Sequence, residues 1–182
     1  MRLAELNALD ESAAIAELLR CCGSTRWAQR MSAARPFVDI ETMVAAADLV
    51  WRGLDRSDWL EAFASHPEIG AGGAGRAEGA GRAGGAGRAG AIDEAGATDW
   101  SGQEQASVAL AADETRRRLA ERNREYQARF GYIFIVCATG KTAGEMLVLL
   151  ERRLRHDAGE ELRIAAEEQR QITQLRLRKL IA

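Results

Sequence analysis

A chain of 182 residues that is 47% apolar and 29% charged has the composition of a globular protein and enough length to bury one real core. Its net charge of −2 supplies no basic excess for nucleic acid or an anionic membrane surface. No apolar run approaches the ~20 residues of a membrane-spanning helix.

The N-terminus, Met1 to Leu6, lacks the long apolar stretch of a signal peptide, and Lys179-Leu180-Ile181-Ala182 is not a peroxisomal address. Cys21, Cys22 and Cys137 are odd in number, two of them are adjacent, and none has metal-ligand spacing. Reduced thiols in a cytoplasmic protein, with no bound metal, are the expectation.

In chain order, helix follows helix. Asp10 caps a run to Cys22 whose Ala14, Ile15, Leu18, Leu19 and Cys22 share one face, and Gly23 ends it. A short helical stretch follows over Thr25–Met31, then a turn at Arg35-Pro36-Phe37. Asp39 caps Ile40–Arg52, in which Met43, Val44, Ala47 and Val50 recur at helical spacing, and Gly53 closes it.

Ser57 opens the next helix, which stops at His66 because Pro67 disfavours helical backbone in the residue before it. The imidazole is thereby set at a helix C-terminus, where partial negative charge favours the protonated ring. Imidazole is also the side chain suited to proton transfer near neutral pH. A plain helix stop with a surface histidine explains the same five residues.

Gly73–Gly90 is three copies of a six-residue unit, Gly-Ala-Gly-Arg-Ala followed by Glu78, Gly84 or Gly90. Nothing apolar in it exceeds alanine, so it lacks the burial needed to offset its ordering entropy. A flexible insertion over about 72–98, inside one domain spanning 1–182, is expected. Its three arginines could meet an anionic partner, but an inert loop is the simpler account.

Order resumes at Trp100. Ser101 and Glu104 have capping-box spacing and open a helix to about Arg129, with Gln105 adding an amide in its first turn. Arg116, Arg117 and Arg118 lie among Glu114, Glu121 and Glu125, as on a solvated, ion-paired face. Tyr132–Ala138 is strand-like and is followed by Thr139-Gly140-Lys141-Thr142. A phosphate-binding loop would need glycine where Ile135 stands, so that reading fails. Thr142 and Glu145 form another capping box, opening a helix to about His156. A last long helix covers Glu160–Ile181, with Leu162, Ile164, Ala165, Ile172, Leu175 and Leu180 as buried candidates. A lone strand has nothing to pair with, so the fold class is all-α: a single-domain helical bundle.

Seven motifs now stand in order: Cys21-Cys22; Arg35-Pro36-Phe37; His66-Pro67-Glu68-Ile69-Gly70; Trp100-Ser101 with Glu104-Gln105; Asn123, Tyr126 and Phe130-Gly131; Phe134-Ile135-Val136-Cys137-Ala138; and Leu175-Arg176-Leu177. The ordered set resembles the 2-oxo-4-hydroxy-4-carboxy-5-ureidoimidazoline (OHCU) decarboxylases of urate breakdown, over nearly the whole chain. The departure is the insertion, since the family joins its His-Pro and Ser-x-x-Glu-Gln motifs by a shorter loop.

The resemblance implies a cofactor-independent carboxy-lyase that yields (S)-allantoin, acting as a homodimer on a small molecule. It implies His66 as general acid, Glu104 orienting the histidine or bonding the ring, and Arg176 gripping an anionic substrate. Pro67, Ser101, Gln105 and the backbone of Phe134, Ile135, Val136, Cys137 and Ala138 complete the implied substrate contacts. Arg178 is one helical step from Arg176 and competes with it for that role. A non-catalytic helical interaction module is the rival reading. An enzyme needs these residues to converge on one pocket, and a binding module does not.

Overall fold

The computed structural model describes residues 1–67 and 97–182, with side chains over 1–67 and 113–182. The glycine-alanine-arginine repeat lies outside the described residues. Among those described there are eight helices and no strand: α1 (Leu3–Ala8), α2 (Glu11–Cys22), α3 (Thr25–Ala33), α4 (Ile40–Arg52), α5 (Arg56–Ala64), α6 (Ala97–Phe130), α7 (Ala143–Arg153) and α8 (Ala158–Ile181). The all-α expectation holds.

Capping chemistry places most of the helix starts. Asp10 accepts from the Ala13 amide, Asp39 from Thr42, and Thr142 from Glu145, whose carboxylate returns the bond to Thr142. Gly23 ends α2 in the left-handed conformation, at φ 83°. Three helix starts differ from the sequence expectation. Helix α5 is capped by Asp55, because its carboxylate takes the amides of both Ser57 and Asp58 and the Ser57 hydroxyl as well. Helix α8 starts at Ala158 behind Asp157, which accepts from Glu160. Helix α6 begins at Ala97, ahead of Ser101.

The short α1 precedes Asp10, where the sequence suggested no element. Six residues are too few to hold a helix alone. Tertiary contacts secure it: Leu6 is fully buried, and Arg35 donates to the carbonyls of Leu6 and Leu9 at 2.7 and 2.8 Å.

Helix α8 is the spine of the fold, packing against α2, α4 and α5, while α3 packs against α2, α4 and α5 and α6 pairs with α7. One apolar cluster runs through all of them, with Trp27, Met31, Met43, Phe63, Tyr126, Phe134, Ile135, Leu150 and Leu177 at or near complete burial. Each such side chain contributes about 1.5–3 kcal/mol through loss of water contact. The indole nitrogens that enter this core are satisfied: Trp27 donates to Ala47 and Trp51 to Ala166. On α8 the buried residues are Glu161, Ala165, Ala166, Gln169, Thr173 and Leu177, whereas Leu175 is 37% exposed.

The apolar run 132–138 forms no strand. It is an irregular segment between Gly131 (φ 82°) and the turn at Gly140 (φ 77°). Buried backbone polar groups need partners, and here side chains supply them. Arg153 donates to the Ile135 carbonyl at 2.8 Å, Glu168 accepts from the Cys137 amide at 2.7 Å, and Lys141 donates to the Cys137 carbonyl at 2.6 Å. Arg153 is itself buried. Its Nε donates to Glu161 at 2.7 Å, and its guanidinium lies 4.7 Å from the centre of the Phe134 ring. The same carboxylate accepts from the Tyr126 hydroxyl and faces His156 Nδ1 at 2.8 Å. Helices α6, α7 and α8 are thus clamped around the segment.

Candidate active site

Helix α5 ends at Ala64, and Ser65 and His66 continue as a turn in which the His66 amide donates to the Phe63 carbonyl at 3.2 Å. Beneath this turn lies Gly23. A Cβ there would stand 2.1 Å from Ser65 Oγ, so the end of α2 and the turn bearing His66 approach too closely for any other residue.

His66 and Pro67 form one wall of a cavity of about 280 Å³. Val136, Cys137, Ala138 and Thr139 form another, and α8 contributes Ile172, Leu175, Arg176 and Lys179. The volume is of the order expected for a small-molecule site. The cavity brings together His66, Pro67, Val136, Cys137, Ala138 and Arg176 of the residues singled out in the sequence. Phe134 and Ile135 do not line it: both are 2% exposed and belong to the core. Ser101, Glu104 and Gln105 fall in the first turns of α6, and their side chains lie outside the described residues.

Helix α8 also distinguishes the two competing arginines. Arg176 lines the cavity, and its Nη1 donates to the Cys21 carbonyl at 3.4 Å. Arg178 makes a two-pronged ion pair with Glu41 at 2.6 and 2.9 Å on an exposed face. Lys179 was not singled out in the sequence. Ile172, Leu175, Arg176 and Lys179 follow the three-and-four spacing of one helix face, and that periodicity was the available signal. A larger recess of about 640 Å³ lies beyond Arg176, lined by Met1, Glu17, Arg20, Cys21, Lys179 and Leu180, but it does not include His66.

The electrostatics reverse one sequence expectation. Burial and then the neighbouring Arg176 guanidinium push the His66 pKa down from 6.5 to about 4, with only Gln169 acting to raise it. Lost hydration and a full positive charge outweigh the partial charge of a helix end. At neutral pH burial and that charge therefore favour the neutral ring. Among the described residues no carboxylate lines the cavity, and Arg176 has no ion-pair partner. Among the described residues, then, the cavity sets a cation beside a neutral imidazole, which suits an anionic ligand that exchanges a proton. The nearby thiols are poor nucleophiles, since burial pushes Cys21 up to about 11 and Cys22 up to about 12.

Known proteins share this arrangement of elements and sequence. The family model described as OHCU decarboxylase matches residues 7–178. A crystal structure of OHCU decarboxylase in the presence of (S)-allantoin superposes with a TM-score of 0.67 at 33% identity, covering 91% of this chain and 96% of that one. The uric acid degradation bifunctional protein TTL of Arabidopsis thaliana is 35% identical over 162 residues, which make up 89% of this chain and 45% of the relative. The chain therefore spans under half of that bifunctional protein. The 2-oxo-4-hydroxy-4-carboxy-5-ureidoimidazoline decarboxylase of Haloferax volcanii is 25% identical over 183 residues, covering 97% of this chain and 94% of its own. With the family model matching from the end of α1 to the end of α8, the chain belongs to the OHCU decarboxylase family.

Proposed function

We propose that this chain is a carboxy-lyase that converts 2-oxo-4-hydroxy-4-carboxy-5-ureidoimidazoline to (S)-allantoin in urate degradation, with His66 as the general acid. The observation that carries this reading is the convergence of His66 and Arg176, from distant parts of the chain, on one cavity in a member of this family. A helical interaction module has no use for that convergence.

The chemistry follows from the charges. The substrate carboxylate is held by the planar donors of Arg176, with Lys179 on the same wall. Its negative charge offsets the repulsion that keeps the imidazole neutral, so His66 takes up a proton as the anion binds. The bond from ring carbon to carboxyl carbon then breaks, and carbon dioxide leaves without the bonding electrons. That pair is delocalised into the ring, and the imidazolium delivers its proton to one face of ring carbon, which fixes the handedness of the product. A positioned general acid is worth roughly 10²–10⁴ in rate. Glu104 orients the histidine or bonds the ring. Ser101 and Gln105 offer the donor and acceptor pattern of a ureido group, and Pro67 and the backbone of Phe134–Ala138 provide further contacts.

The test supplies freshly generated OHCU and follows both its decay and the circular dichroism of the allantoin formed. Accelerated, one-handed product supports the reading, and decay at the spontaneous rate to racemic product overturns it. The same reading includes a cytoplasmic location and a homodimer. A monomer mass by light scattering across working concentrations would remove the dimer from it.

A further inference from the structure

Gln169 is fully buried on α8, and its amide is oriented by its surroundings. The Thr173 hydroxyl spends its proton on the Gln169 backbone carbonyl at 3.0 Å, so its oxygen can only accept from the side-chain amide, 3.3 Å away. The Cys22 carbonyl, 3.4 Å from the same nitrogen, likewise only accepts. Nε2 of Gln169 is therefore held between two acceptors, and Oε1 must point the other way.

That oxygen is buried without a hydrogen-bond partner, and His66 Nε2 is buried in the same condition. A lone buried acceptor and a lone buried ring nitrogen are each costly to leave unmade. The glutamine acts on the ring in the sense that favours its proton, as an acceptor does. The two atoms are complementary only if Nε2 carries hydrogen.

We propose that Gln169 is a positioning residue for His66: its amide oxygen takes the Nε2–H, fixes the ring's orientation and tautomer, and leaves Nδ1 as the nitrogen that exchanges protons. Nε2 is closed off from solvent, so it is not the atom offered to a ligand in an open cavity. The Cys22 carbonyl at the end of α2 and the Thr173 hydroxyl both hold the Gln169 amide, and through it the imidazole. This arrangement couples the α2 terminus beneath the His66 turn to the state of the ring. Partners of this kind set which nitrogen of a histidine does the chemistry.

The catalytic part of the inference rests on His66 being the acid proposed above, but the tautomer does not depend on it. The experiment is a long-range proton–nitrogen NMR spectrum of histidine-labelled protein at neutral pH, taken on the parent and on Gln169→Met and Gln169→Glu, with turnover of OHCU measured alongside. The expected parent spectrum shows neutral His66 with hydrogen on Nε2. Gln169→Met loses that tautomer preference and lowers kcat by about tenfold or more with little change in KM. Gln169→Glu retains an acceptor and keeps the Nε2–H form. An Nδ1–H tautomer in the parent overturns the proposal even if the variants fail to fold. So does an unchanged tautomer in a folded Gln169→Met. Inactivity of the parent towards OHCU would remove the proposed function and leave the tautomer result standing.

Discussion

The two histidines of this chain keep opposite electrostatic company. His156 faces Glu161, whose other oxygen takes Arg153 and the Tyr126 hydroxyl, so two basic groups share one carboxylate in a nearly closed set of bonds. His66 faces Arg176 with no carboxylate among the described cavity residues, and burial has removed the water that could have screened the two. Both regions join α8 to the 132–138 segment and its surroundings. One is a strut, in which every charge is answered from within the chain. The other is open in a specific way, because among the described residues a cation and a neutral imidazole meet no anion. Uncompensated charge beside a perturbed titratable group marks function more often than architecture.

The sharpest way to break this comparison is to remove each centre in turn. His66→Asn should lower kcat by roughly 10²–10⁴ while the melting temperature stays close to that of the parent. Near-parental turnover would sink His66 as the acid. Glu161→Ala should act on stability instead, costing about 3–5 kcal/mol because it strands a buried guanidinium. Chemical denaturation measures that loss, and a variant as stable as the parent would mean that the clamp bears little weight.

A finer test separates the two arginines of the last helix. If Arg176 grips the substrate as proposed, Arg176→Ala should remove charge-assisted bonds worth about 1.5–3 kcal/mol, a fall in kcat/KM of around tenfold to a hundredfold. It should also raise the His66 pKa, because the neighbouring positive charge disfavours the imidazolium. Arg178→Ala breaks only an exposed ion pair with Glu41, of the kind worth about 0.2–1 kcal/mol, and should leave kcat/KM near parental. Equal losses in the two variants would erase the distinction between them.

The helices were legible in the sequence because their signals are local. Asp10, Asp39 and Thr142 cap where their spacing says they should, and Gly23 stops α2 as its position suggests. The 132–138 run was readable as non-helical, and the lack of a partner strand was enough to keep the class all-α. What replaces a partner strand was not readable. Arg153 stands next to Arg152 and looks like one more surface charge, yet it is 3% exposed and holds the Ile135 carbonyl. His66 and Arg176 were visible as candidates through their motifs. The sign of their interaction was not, because the helix-end rule for His66 is local and Arg176 arrives from the last helix. Gln169 carried no sequence signal, since its effect depends on a neighbour far along the chain.

The last and smallest expected effect uses this sign. A histidine whose folded pKa is depressed binds its proton first in the unfolded chain. Between the ordinary value of 6.5 and about 4, the unfolded state holds a proton on His66 that the native state does not. Stability from this residue is therefore complete above pH 6.5 and is lost as pH falls towards 4, below which both states are protonated and the loss levels off. Depressed carboxylates such as Glu5, Glu41, Glu145 and Glu167, lowered from 4.5, and Asp10, Asp39 and Asp55, lowered from 3.8, lose their contributions towards the acid end of this window, but they are common to parent and variant and cancel in the difference. Denaturant midpoints of parent and His66→Asn, close together at pH 7.5, should separate as pH is lowered to 4, with the parent falling below the variant because only the parent has this slope. Parallel curves would show that the ring is not held neutral in the native protein. The charge contrast between the two histidines would then fail at its first step.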